Sequence, residues 1–293
     1  MRLTLQPRVF THDVDKLGLA TDEALAALLD RYPEELFDIN AYSYDAEGQV
    51  SLETGARGRA PGAAILDEIK AGRLWVNLRD AHEAHPDLWN PIHEAFQRNC
   101  AAMGVKPIKT TGQLILSSPG TKVPYHFDAA GVMLFHLRGR KRLFVYPNDE
   151  THLPQAEMES VIMRTTTEEL TYSRAYDAQA QVFDLEPGQC LTWPLYAPHR
   201  VENLDVFNVS LSLDFQTWET RLTRGAHYAN GVLRRRLGMT PAGMAGTPMA
   251  ARAALWAASL AMKKAGLVEN RIKDYEHSFE LGADKRAAGR AAA

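Results

Sequence analysis

The sequence predicts a mainly β protein with α flanks: an antiparallel barrel or jelly roll with helices before and after it. Two observations carry this. From about residue 110, short apolar or alternating runs follow one another, bounded by Gly, Pro and Asp. The segments on either side show helix caps and stops instead of alternation. The chain is 293 residues long with 45% hydrophobic and 24% charged residues, an ordinary globular balance that can build a sizeable core.

In chain order, Thr21 precedes DEALAALLDR, with acidic residues in the first turn, and reads as a helix N-cap. GAAILDEIKAGRLWVNL, then HPDLWNP and IHEAFQRNCAAMG, read as further helix, punctuated by Pro86 and Pro91 and stopped near Gly104. Residues 1–109 are thus expected to be a helix-rich region packing on the barrel. The barrel, 110–217, is read from GQLILSS, VPYHFD, VMLFHL, KRLFVYP, ESVIMRT, QVFDL, CLTWP, RVEN and NVSLSLDF. After Trp218, helix returns in RLTRGAHYANGVLRRRLGM and MAARAALWAASLAMKKAG, giving a C-terminal helical region over 218–283. Its Ala/Leu/Met stripe suits either packing on its own barrel or a homodimer contact. The tail, 284–293, has little to bury and is expected to be disordered. No internal repeat is visible.

Composition excludes several classes. The formal net charge is -3 and the charges are interspersed with no long basic run, so nucleic acid is not an expected partner. Cys100 and Cys190 form no CxxC pair, which argues against a disulfide framework or a thiolate zinc site and for a reducing compartment. MRLTLQPRVF lacks a continuous apolar core, and no run approaches the roughly 18 apolar residues of a membrane span. A soluble, cytoplasmic protein is the expectation.

The chemistry-bearing pattern is VPYHFD. Extended backbone would place His126 and Asp128 on one face, because strand side chains alternate with a period of two. A third ligand is available in His199, after the Gly-containing turn, apolar strand and Pro-rich bend of GQCLTWPLYAPHRVEN. Two histidines and one carboxylate with open positions form the facial triad of non-haem Fe(II) oxygenases. A satisfied polar cluster at a strand end is the competing reading. His85-Pro86-Asp87 also reads HxD, but Pro86 disfavours a central strand and Asp87 suits a helix cap, so His82 and His85 are read as surface or capping residues.

SSPGTKVPYHFDAAGVMLFHLRGRKRLFVYP followed by GQCLTWPLYAPHRVENLDVFNVSLSLDF resembles the cupin-like JmjC oxygenases, over residues 110–216. The nearest look-alike among them is the asparaginyl hydroxylase that inhibits the hypoxia-inducible factor. Four features agree in order: HxD, the basic GRKR hairpin, the P-x-x-x-x-H bend and the closing alternating strand. The resemblance implies a double-stranded β-helix of the cupin type. It also implies Fe(II) on His126, Asp128 and His199, with 2-oxoglutarate and dioxygen as cosubstrates. Lys141, in GRKR, would pair with the distal carboxylate of 2-oxoglutarate, although Arg138, Arg140 and Arg142 are adjacent alternatives. Asp214 falls where the look-alike has a polar neighbour of the cosubstrate. If VMLFHL alternates, His136 shares a face with Val132 and Leu134, and Gln113 is a comparable candidate for lining the barrel. Val123 departs from the pattern: the look-alike carries a hydroxyl there, and valine cannot donate a hydrogen bond. Trp193 and Tyr196 read as core or pocket wall.

The activity so implied is hydroxylation of a C–H bond on a protein side chain or small metabolite, with release of succinate and carbon dioxide. A metal cupin enzyme that does not use 2-oxoglutarate, or a non-catalytic ligand-sensing protein, would present the same three ligands.

Overall fold

A computed structural model describes residues 6–44, 50–167, 170–268 and 277–282. The chain opens with β1 (Arg8–Thr11) and α1 (Asp22–Arg31), where the Thr21 side chain accepts the Ala24 N–H as the cap motif predicts. Then come β2 (Phe37–Tyr44), β3 (Val50–Ala56), α2 (Gly62–Ala71), β4 (Leu74–Leu78), the short α3 (Ala81–Ala84) and α4 (Pro86–Met103). The barrel strands are β5 (Lys109–Ser117), β6 (Lys122–His126), β7 (Gly131–Arg138) and β8 (Lys141–Val145). After α5 (Gln155–Ile162) they continue as β9 (Gln181–Leu185), β10 (Gln189–Thr192), β11 (His199–Asn203) and β12 (Asn208–Gln216). Two long helices, α6 (Trp218–Leu237) and α7 (Met249–Lys264), precede a last short strand, β13 (Phe279–Glu280). The tail over 284–293, expected to be disordered, lies outside the described residues.

The strands form two facing sheets. The larger runs β1-β10-β7-β12-β5-β4-β2-β3-β13 and the smaller β6-β11-β8-β9, antiparallel throughout except where β13 joins β3. Within the barrel most neighbours are non-consecutive strands, β10–β7, β7–β12, β12–β5, β6–β11 and β11–β8, as in the expected double-stranded β-helix. Between the sheets lies one core, including Ile115, Val132 and Leu134 from the larger and Leu143 and Val201 from the smaller. Behind the larger sheet, Met133, Phe135, Leu137 and Leu213 pack on α1, α2 and α4. Strand β7 is therefore buried on both faces, which is why VMLFHL reads as a continuous apolar run. A third core joins Tyr125, Phe127 and Tyr146 to α5 and α6.

Three expectations change. RLWVNL was read as continuing a helix, but α2 stops at Gly72 and LWVNL becomes β4, paired between β2 and β5. The helices expected in the first hundred residues are present, yet that region also contributes four strands to the larger sheet. ESVIMRT was read as a strand. Pro154 instead starts α5, whose Met158, Val161 and Ile162 turn inward at helical spacing. Pro91 does not break α4, which is held through it by buried Trp89, Ile92 and Phe96. Among the described residues, no helix is long and apolar enough to cross a membrane.

Two substitutions measure the layering. Phe135 is fully buried behind the larger sheet, so Phe135→Ala should lower unfolding free energy in urea by about 3–5 kcal/mol. Removing the exposed Arg142–Asp184 pair through Arg142→Ala should leave it nearly unchanged. Equal effects would contradict the burial pattern.

Candidate metal centre

The site is made by one strand pairing. β6 and β11 run antiparallel with His126 directly opposite His199, and the two imidazole centroids lie 4.2 Å apart. β6 ends at His126, so Asp128 is not on the strand as expected. The alternation nevertheless holds for two residues more. Phe127 is fully buried and packs edge-on against Tyr196, which turns its neighbours on both sides toward the cavity. Ligand atoms of His126, Asp128 and His199 all lie within 4.8 Å of one another. His199 Nε2 is 3.3 Å from Asp128 Oδ2.

Both rings are oriented by their own backbone. His126 Nδ1 lies 2.7 Å from the Pro124 carbonyl, and His199 Nδ1 lies 3.1 Å from that of Ala197. A carbonyl can only accept, so Nδ1 carries the proton in each ring and the Nε2 lone pair is free for a metal. Burial holds the His199 imidazole well below its ordinary range, and the neighbouring His126 pushes the same way. Burial also raises the Asp128 carboxyl, with His126 opposing it. Neutral imidazole is the form that ligates, and a dication would offset the desolvation of the half-buried Asp128 carboxylate. The donor set thus fits a divalent transition metal with positions left open.

The centre opens into a cavity of about 640 Å³ between the sheets. Val123, Leu143 and Val201 line it from the smaller sheet, and Gln113, Ile115 and Ser212 from the larger. Trp193 packs on His199 with the rings tilted and their centroids 4.6 Å apart, as pocket wall, and Tyr196 is buried in the third core beside a separate outer cavity, both as expected. The N-terminal strands add Tyr42, Trp75 and Asn77, and a third wall comes from Arg164, Thr167 and Arg224.

Lys141 and His136 meet behind this cavity. Lys141 is fully buried, donates to Ser210 Oγ at 3.2 Å and lies 4.6 Å over the Trp75 ring. Among the described residues no carboxylate pairs with it, and burial pushes its ammonium down to about 7. Arg138, Arg140 and Arg142, the sequence alternatives, are instead bound to Asp22, Glu186 and Asp184. The Ser210 hydroxyl also lies 3.0 Å from His136 Nδ1. His136 points inward as the alternation predicts. Burial, then the Lys141 charge, lowers it to about 3, and its Nε2 is buried without a partner. A buried cation and an orphaned imidazole nitrogen in one corner fit the carboxylate of an acid that enters from the cavity.

The other sequence candidates divide. Gln113 lines the cavity. Asp214 shares the inward phase of β12 with Ser210 but stands four residues along, roughly 13 Å away at strand rise, and is not among the described residues lining the cavity. Val123 does line it, and Ser210 supplies a hydroxyl beside Lys141. His85 stands at the N-cap of α4, with Asp87 in the first turn and no side-chain cap bond. Sequence reasoning missed Ser210, Trp75, Arg164 and Arg224. The period-two phase of NVSLSLDF could have singled out Ser210; Trp75 was hidden by the helical reading of its strand.

Residues 49–219 match the family model described as a cupin-like domain. The chain belongs to this family. No curated protein matches it. Among solved structures, Escherichia coli YcfD is 18% identical, with 90% of this chain and 66% of that chain covered and a TM-score of 0.49. The E. coli ribosomal oxygenase YcfD in complex with cobalt and 2-oxoglutarate is 19% identical over 83% of this chain and 56% of that one, TM-score 0.46. The DMSP lyase DddQ from Ruegeria pomeroyi DSS-3 is 15% identical, covering 36% of this chain and 38% of that one, TM-score 0.24. This cupin-like chain therefore spans less than two thirds of the length of the YcfD chains.

Lys141 makes stability depend on pH. Its pKa is about 7 folded against 10.5 for an ordinary lysine. Between these values the unfolded chain binds the extra proton, so stability rises with pH, by up to about 1.4 kcal/mol per unit. Urea unfolding of the ligand-free chain from pH 7 to 10 should show a rise that Lys141→Met lacks; parallel curves for the two proteins would refute the burial of an unpaired ammonium.

Proposed function

We propose that this cupin-like chain is an Fe(II)- and 2-oxoglutarate-dependent oxygenase that hydroxylates a C–H bond. The observation that carries the reading is the pairing, inside one barrel, of a two-histidine, one-carboxylate centre with a buried lysine that has no carboxylate partner. A metal cupin without an acidic cosubstrate has no need of such a lysine, because an isolated buried ammonium is destabilising.

When bound, Fe(II) with 2-oxoglutarate and dioxygen supplies the oxidising chemistry, coupling decarboxylation of the cosubstrate to succinate and carbon dioxide with hydroxylation of the substrate. The protein supplies position. His126 and His199 would hold the metal through Nε2, their rings fixed by the Pro124 and Ala197 carbonyls, and Asp128 would provide the carboxylate. Lys141, backed by Ser210, would anchor the distal carboxylate of the cosubstrate. Trp193 covers one side of His199, and Val123, Leu143 and Val201 keep the surroundings apolar and limit water around the metal.

The test is anaerobic Fe(II) loading followed by exposure to air and measurement of succinate with and without candidate substrates. Asp128→Ala should form no detectable succinate. Lys141→Ala should raise KM for 2-oxoglutarate about 100-fold, the equivalent of losing a charge-assisted hydrogen bond worth roughly 3 kcal/mol. A wild type that binds neither iron nor 2-oxoglutarate would overturn the proposal. Substrate conversion that needs no added 2-oxoglutarate and is unchanged by Lys141→Ala would instead assign a metal cupin that does without the cosubstrate.

A further inference from the structure

The third wall of the cavity differs from the two sheets. Arg164, just past the C-cap of α5, and Arg224, on α6, both line the cavity. Neither guanidinium has a hydrogen-bond or salt-bridge partner among the described residues. Other arginines on this side of the molecule are matched: Arg200 with Asp177, Arg234 with Glu159 and Arg252 with Glu219. The carboxylates lining the cavity are Asp128, at the metal centre, and Asp38, on β2 of the larger sheet. The α5–α6 wall thus presents two unmatched cations and no described carboxylate. Lys263 on α7 lies close enough to be pushed down by Arg224, after the larger effect of burial, so the positive field there is shared by a third group.

The backbone at Arg164 adds an independent sign. Its φ is +60°, and its N–H donates to the Val161 carbonyl at 2.8 Å, closing the end of α5. That left-handed position after a helix is ordinarily glycine, because a Cβ is strained there. The chain holds a long, exposed cationic side chain at a place where backbone geometry favours none, on the rim of the cavity. Non-glycine residues with positive φ cluster at ligand sites, and of the three described in this chain, Asp80, Arg164 and Tyr196, Arg164 is the one that lines this cavity.

We infer that Arg164 and Arg224 bind the anionic group, a carboxylate or phosphate, of a small-molecule substrate and so select which C–H bond faces the metal centre. The inference rests on this cavity being the substrate site of the oxygenase proposed above. A cavity of about 640 Å³ suits a ligand of metabolite size. Paired guanidiniums suit planar or tetrahedral oxyanions, which they hold through charge-assisted hydrogen bonds.

The test is calorimetric titration of the full chain loaded with Mn(II) and 2-oxoglutarate, using three ligands of matched shape: 3-phenylpropionate, phenethyl phosphate and uncharged 3-phenylpropionamide. Wild type should bind the better of the two anions at least about tenfold more tightly than the amide, a difference of about 1.4 kcal/mol. Arg224→Gln and Arg164→Gly should each lose that preference while still titrating 2-oxoglutarate like wild type. Arg164→Gly should also melt higher, by about 2 °C, because the backbone strain is relieved, a result that loss of a structural contact would not produce. Equal affinity for acid and amide, or no binding of any of the three below about 10 mM, overturns the inference. So does loss of 2-oxoglutarate binding in the arginine variants, which would assign the two residues to the cosubstrate, or tighter binding of an acidic hexapeptide than of either small anion. If 2-oxoglutarate fails to bind while the arginine-dependent preference for anions persists, the anion site stands and the oxygenase reading falls.

Discussion

The antiparallel pairing of β6 with β11 is the constraint on which the site depends. It sets His126 against His199 at one register position, and a slip of either strand by one residue would turn its imidazole to the face opposite the other. The register is held from both sides. β11 also pairs along its full length with β8, from His199 opposite Val145 to Asn203 opposite Lys141. The same ladder that presents the third metal ligand at one end of β11 therefore places Lys141 at the other. Metal centre and lysine corner are the two ends of one strand pair, and their separation is set by main-chain hydrogen bonds in the sheet, which deform little.

Burial gives both ends their chemical character. At the metal end it keeps His199 neutral and raises the Asp128 carboxyl. At the lysine end it leaves an ammonium held by one serine hydroxyl and one indole face. Each is unfavourable in the empty protein and is relieved by a group of opposite charge, a dication at one end and a carboxylate at the other. The stability given up in keeping these groups dry is recovered on binding, so the same low-dielectric surroundings that weaken the ligand-free fold strengthen its hold on ligands. The large hydrophobic layer behind the larger sheet, with Phe135, Leu211 and Leu213 fully buried, is what makes that arrangement tolerable.

Much of this was readable from residue pattern alone. The strands of the barrel announced themselves through alternation and turn residues, and α1 through Thr21. His126, Asp128, His199 and the inward direction of His136 followed from period-two spacing together with the resemblance to cupin-like oxygenases. β4 and α5 were misread because short apolar runs carry the same local signal in either conformation, and only the neighbours decide. LWVNL became a strand because β2 and β5 were there to pair with it. ESVI became the last turns of α5 because Pro154 starts a helix whose inner face packs toward α6, and the chain leaves the helix at Met163. Asp214 was placed near the cosubstrate by analogy of position, whereas the register of β12 carries it toward the other end of the strand from Ser210.

The amino-acid sequence by itself determined the fold class, and with the resemblance to cupin-like oxygenases it singled out three candidate ligands and a basic hairpin; which of Lys141, Arg138, Arg140 and Arg142 turns inward was left to the fold. The tertiary structure decided which groups share a cavity. Ser210 joins Lys141 to His136, Trp75 covers the ammonium, and Arg164 and Arg224 come together from separate helices. These contacts span long stretches of chain and arise only when non-adjacent strands pair and the helices close over them. A one-dimensional pattern holds no record of which distant side chains will meet.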